Sequence, residues 1–175
     1  MSNDYTNQIR WDRLENNFSH LAVPMVEYYK GLIAMRRALP GLRMMESENI
    51  RKGIQFYGMD ATDKQTHAIQ MNNKLNDGTA REVDKFIAYE IDNTLENDLS
   101  PNHKGTDYKR IVVIHNADEN PITVTIPSIT HPLEWSVIAD GNKAGVTAIA
   151  NNETAVKIEH QKVTVPGLSM AVIVK

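Results

Sequence analysis

The sequence predicts a mainly β chain: one α-helix followed by an antiparallel β-sandwich of Greek-key type. Three observations carry that expectation. The apolar period changes from helical to alternating beyond Met44. From Ile111 onward a turn signal arrives about every 8–12 residues, the spacing of an antiparallel sandwich. The 175 residues, 41% hydrophobic and 23% charged, suffice for one cored domain, or one plus a fragment, without staples.

The helix is predicted over Pro24–Leu39. Pro24 suits the first helical position, and Pro40-Gly41 removes an amide and relaxes the backbone at the other end. At helical spacing Met25, Val26, Tyr28, Tyr29, Leu32, Ile33, Met35 and Leu39 share one half of the circumference. Glu27, Lys30, Gly31 and Arg37 share the other. Arg36 falls near the middle of the apolar half. A buried unpaired charge costs several kcal/mol, so the guanidinium either snorkels to water or ties the helix to a second body. Both readings stand at this point.

The strands follow as short β-branched or aromatic runs: Ile54–Tyr57, Phe86–Ile91, Ile111–Ile114, Ile122–Ile126, Trp135–Ala139, Ala155–Ile158, Lys162–Val165 and Met170–Val174. Asp77-Gly78, Asn116–Pro121, Asp140-Gly141-Asn142, Asn151-Asn152 and Pro166-Gly167 separate them with turn chemistry. Alternation puts Trp135, Val137 and Ala139 on one face, so Trp135 is expected to point at the core. His67–Met71 reads as a further short strand between long polar loops. These elements divide the chain into a lead-in plus helix, residues 1–41, and a sandwich, residues 42–175.

Composition excludes several function classes. Lys and Arg total 19 against 22 Asp and Glu, giving a formal charge of −3, which opposes nucleic-acid binding and a polybasic membrane anchor. No apolar run approaches the ~18–20 residues that span a bilayer. Residues Met1 to Gln8 lack the basic and apolar regions of a signal peptide, so the chain is expected to be either cytoplasmic or a piece of something longer. With no cysteine there is no disulfide, thiolate metal site or cysteine nucleophile.

Chemistry-bearing motifs are missing too. The six histidines are scattered, and none has a partner at zincin spacing. Asp92, Thr94, Glu96 and Asp98 alternate like a calcium loop but lack its Gly and its distal bidentate Glu. The nine glycines stand singly, so no phosphate cradle or nucleophile elbow exists. Glu90 and Asp92, two apart on one strand, point the same way and read as a solvent-facing edge, not as an acid/base pair across a sugar. No catalytic, cofactor-binding or metal-binding residue is expected. A sugar-binding module remains an alternative, because Trp11, Tyr57, Tyr89 and Tyr108 lie outside the densest strand runs; the aromatic content is 6%.

Three stretches resemble the C-terminal end of bacterial type I pullulanases, amylopullulanases included, the starch-debranching branch of the α-amylase superfamily. The first is Asn7-x-Ile9-x-Trp11 followed by Tyr28-Tyr29-Lys30-Gly31-Leu32-Ile33-Ala34-Met35-Arg36-Arg37-Ala38-x-Pro40. The second is Trp135-Ser136-Val137-Ile138-Ala139-Asp140-Gly141 with Ala144-Gly145 after it. The third is Val163-x-Val165-Pro166-Gly167-x-Ser169-Met170-Ala171-Val172. Isoamylases and branching enzymes of the same superfamily are the nearest alternatives.

The resemblance implies that residues 1–41 are the tail of a catalytic (β/α)₈ barrel, its lead-in and last helix, and that the remainder is the C-terminal sandwich. It implies a bacterial parent, of unknown compartment, that hydrolyses α-1,6-glucosidic bonds in pullulan, amylopectin or limit dextrins. The family's catalytic carboxylates have no counterpart here, so this chain is expected to be inactive, to need no cofactor and to stabilise the barrel. Its partners would be the parent barrel and, through the whole enzyme, an α-glucan; a helix face left bare would also permit self-association. Trp11, Tyr29, Leu32, Ile33, Arg36 and Trp135 are the expected structural and interface residues.

Overall fold

The computed structural model describes residues 22–42, 53–57, 85–93 and 108–175. Trp11, the His67–Met71 strand and most of the Asp92–Asp98 loop lie outside them. Helix α1 spans Ala22–Ala38 and a single 3-10 turn, Pro40–Leu42, follows. Pro24 sits inside the first turn, two residues later than expected, where its missing N–H has no intrahelical acceptor to lose. The last helical bond runs from the Leu39 N–H to the Met35 carbonyl at 2.9 Å, and Pro40 stops the ladder there.

The strands are β1 Ile54–Tyr57, β2 Phe86–Asp92, β3 Arg110–Asn116, β4 Ile122–Thr125, β5 Ser136–Ala139, β6 Lys157–Glu159, β7 Lys162–Val165 and β8 Ser169–Val174. Each corresponds to a predicted run, with ends moved by up to two residues. They form a five-stranded sheet in the order β1-β2-β3-β8-β5 and a three-stranded sheet in the order β4-β7-β6. Every pairing is antiparallel. The chain changes sheets between β3 and β4, β4 and β5, β5 and β6, and β7 and β8, and β8 closes the larger sheet between β3 and β5.

Two apolar clusters hold the layers together. One lies between the sheets, built from Val112, Ile114, Val124, Ile126, Trp135, Val137, Val163, Val165 and Ile173 among others. The other lies on the opposite face of the larger sheet, where Met35 of α1 and Leu39, the residue just after the helix, pack on Ile91, Ile111, Val113, Ile138, Val172 and Val174. The helix is therefore a third layer on the sandwich. This explains why Ile111–Ile114 and Ala171–Val174 are continuous apolar runs: each of these central strands is buried on both faces.

One face assignment differs from the expectation. Trp135 and Val137 point between the sheets as predicted, but Ala139 joins the helix-side cluster with Ile138. The register against β8 shifts between Val137 and Ala139, so a bulge inserts one residue and reverses the facing of everything after it.

At the far end of the sandwich Asn116 ties two turns together. Its Nδ2 donates to the carbonyls of Asn120 and Pro166, both at 2.9 Å, and its Oδ1 accepts the Asp118 N–H at 2.9 Å. The approach is so close that a Cβ at Gly167 would stand 2.0 Å from the Glu119 carbonyl oxygen. The requirement for glycine at Gly167 is thus one of contact.

Candidate functional site

The motifs separated by about a hundred residues in sequence meet under the helix. Asp140 begins a turn whose carboxylate is buried and fully engaged. Its Oδ1 accepts the N–H groups of Asn142 and Lys143, both at 2.8 Å, and its Oδ2 accepts the Thr154 hydroxyl at 2.7 Å. The turn carries the Ala144 carbonyl up against Gly31 of α1, where a Cβ would lie only 1.8 Å from the oxygen. One helical turn earlier the Tyr28 hydroxyl donates to the Asp140 carbonyl at 2.8 Å. Burial, then the nearby Asp140 and Tyr29, push the Tyr28 phenol above its ordinary pKa. At the C-terminal end Asn93 fastens the helix exit: its Oδ1 accepts the Gly41 N–H at 3.1 Å and its Nδ2 donates to the Tyr108 carbonyl at 2.7 Å.

These contacts use only part of the apolar half of α1. Leu32, Met35 and Leu39 face the sheet. Met25, Tyr29 and Ile33 face outward at four-residue spacing, with 57%, 59% and 54% of their surface exposed, and Val23 is also exposed. Arg36 and Arg37 are exposed one turn beyond Ile33. Arg36 is thus not buried against the sandwich, and the expected single apolar face is two faces, one filled and one bare. Gly31, assigned to the polar half by periodicity, belongs to the packed face.

Of the predicted interface residues, Leu32 and Trp135 are inward and belong to different clusters, while Tyr29, Ile33 and Arg36 come together on the outward stripe. Met25 extends that stripe. A glycine inside a helix costs about 1 kcal/mol relative to Ala, and that misfit in Tyr28-Tyr29-Lys30-Gly31 was the signal available for a close backbone approach.

Glu90 is a correction. It was expected at a solvent-facing edge, yet it is only 2% exposed, on the inter-sheet face of β2 beside Ala88. Its Oε2 accepts the hydroxyls of Tyr57 and Ser128, both at 2.7 Å, and Arg110 reaches its Oε1 at 3.4 Å and the Asp92 carboxylate at 3.2 Å. Burial and the bond to the Glu90 carboxylate hold the Tyr57 phenol far above its usual pKa. Three separate elements must converge to satisfy this carboxylate, so its place could not be read from β2 alone. Among the described residues no three acidic, His or Cys side chains are grouped as metal ligands, and no helix is long and apolar enough to cross a membrane.

Comparison with known proteins follows the same outline. The chain is similar in structure to the Group B Streptococcus pullulanase SAP, with a TM-score of 0.62 at 19% identity, covering 97% of this chain and 18% of that one. It is also similar to the catalytic module of the multi-modular glycogen-degrading pneumococcal virulence factor SpuA, with a TM-score of 0.59 at 20% identity, covering 98% of this chain and 20% of that one. The pullulanase from Bacillus acidopullulyticus gives 0.58 at 16% identity, over 97% of this chain and 15% of that one. At these identities the likeness shows the fold, and this chain spans a fifth or less of each enzyme. No curated protein matches it in sequence. Residues 13–175, nearly the whole chain, match the family described as alpha-1,6-glucosidases, pullulanase-type, C-terminal, and the chain belongs to that family.

Proposed function

We propose that this C-terminal domain is the non-catalytic end of a starch-debranching glycoside hydrolase and that it stabilises the catalytic barrel. In this reading residues 1–41 complete the barrel, and α1 is held between two bodies. Leu32, Met35 and Leu39 grip the sandwich, while Met25, Tyr29 and Ile33 meet the barrel flank, with Arg36 at the seam. The parent would hydrolyse α-1,6-glucosidic bonds in pullulan, amylopectin or limit dextrins.

The observation that carries this reading is the bare stripe of α1. Fully burying a side chain of this size stabilises by ~1.5–3 kcal/mol, so three half-exposed ones in a row leave a substantial gain unrealised. An apolar stripe on an otherwise packed helix marks an interaction face. The direct test is release of reducing ends from pullulan. The 175-residue chain alone is expected to release none, and the parent enzyme containing it to release them readily. Hydrolysis by the isolated chain would contradict the proposal.

A further inference from the structure

The sheet face under α1 extends beyond the helix that covers it. Strand register sets three rows across β2, β3 and β8: Ile91–Ile111–Val174, Tyr89–Val113–Val172 and Ile87–His115–Met170. The first two rows pack with Met35 and Leu39. In the third, Ile87 and His115 are exposed. A groove of about 460 Å³ opens at this end of the face, lined by Tyr28 of α1 and by His115, Leu168 and Met170 among others. No Asp, Glu, Lys or Arg lines it, and burial lowers the His115 pKa below its ordinary value, so the groove is uncharged at neutral pH.

Leu168 supplies a second, independent observation. Its φ of 49° lies in the left-handed region, where a side chain is strained, yet that side chain is 72% exposed. So exposed, it gains little from packing within this chain. Gly or Asn would suit the backbone better, so a large apolar residue here points to a contact made with another body. Tyr28 joins the groove to the bare stripe, since Met25 and Tyr29 stand beside it on α1. A helix with its side chains is ~10–12 Å thick, so a flat body resting on the stripe would stop short of the groove floor. We infer that an apolar, uncharged segment of the parent's catalytic part steps down beside α1 and packs on Leu168 and the Ile87–His115–Met170 row. This rests on the proposed stabilising role and adds to it a contact separate from the stripe.

The test compares the 175-residue chain with the parent enzyme by diethyl pyrocarbonate labelling of His115, read by mass spectrometry. In the chain alone His115 is expected to react about as fast as His131 and His160, which are exposed elsewhere. In the parent its rate is expected to fall roughly tenfold or more relative to those two. Leu168→Asn, which suits the left-handed backbone, should restore part of that rate in the parent and leave the melting temperature of the chain alone no lower. Equal His115 rates in both settings overturn the inference. So does slow labelling already in the chain alone, because residues of the chain itself would then fill the groove. Oxidation of Met25 by dilute peroxide reports on the stripe in the same samples. Met25 protected in the parent with His115 unprotected removes only this second contact, whereas Met25 equally reactive in both settings removes the proposed role itself.

Discussion

Gly31 shows how a single missing methyl organises this molecule. In an isolated helix, Gly31→Ala would raise helix stability by about 1 kcal/mol. Here the added Cβ would collide with the Ala144 carbonyl at 1.8 Å, a backbone atom that the Asp140 turn holds in place. Gly31→Ala is therefore expected to destabilise by ~1–3 kcal/mol, read as a lower urea midpoint. A stabilised variant would mean that the helix is not seated on that turn. Tyr57 offers a second residue-scale prediction, set by pH. Its folded pKa is raised above the ordinary 10.0 by burial and by Glu90, so the unfolded chain releases this proton first. The stability it contributes is whole below pH 10 and is lost as pH rises beyond it. Thermal melts from pH 8 to 11 are expected to show a steep alkaline loss that Tyr57→Phe reduces. Some slope should persist, because burial also raises the pKa of Tyr89 and burial with Asp140 raises that of Tyr28.

At the scale of elements, the strands were legible because their signals are local. Alternation, β-branched residues and Asn, Asp, Gly or Pro turns mark β1 through β8, and Lys162–Val165 and Ile54–Tyr57 begin and end where the pattern does. What escaped depends on partners distant in sequence. The bulge after Val137 follows from how β5 pairs with β8, and alternation alone gives Ala139 the wrong face. The burial of Glu90 needs Tyr57 from β1, Arg110 from β3 and Ser128 from the segment beyond β4. The helix is an intermediate case. Its apolar half was visible in the sequence, but periodicity cannot apportion one wide face between two neighbours. Only with the sheet in place does Leu32-x-x-Met35-x-x-x-Leu39 separate from Met25-x-x-x-Tyr29-x-x-x-Ile33.

For the whole molecule, the three layers account for one side of α1 and leave the other bare. That asymmetry links the fold to the proposed role: a sandwich that carries the last piece of another body and presents it by its apolar stripe. The family match covers the helix and the strands together, so both sides of α1 lie within one recognised unit. Ile33→Asp separates the two sides in a single paired measurement. In the isolated chain this exposed position should tolerate the charge, with unfolding free energy within ~0.5 kcal/mol of the unsubstituted chain. In the parent enzyme the same carboxylate would be buried against the barrel, and the melting temperature is expected to fall by several degrees. Equal tolerance in both settings would contradict the account, because Ile33 would then face water in the intact enzyme as well.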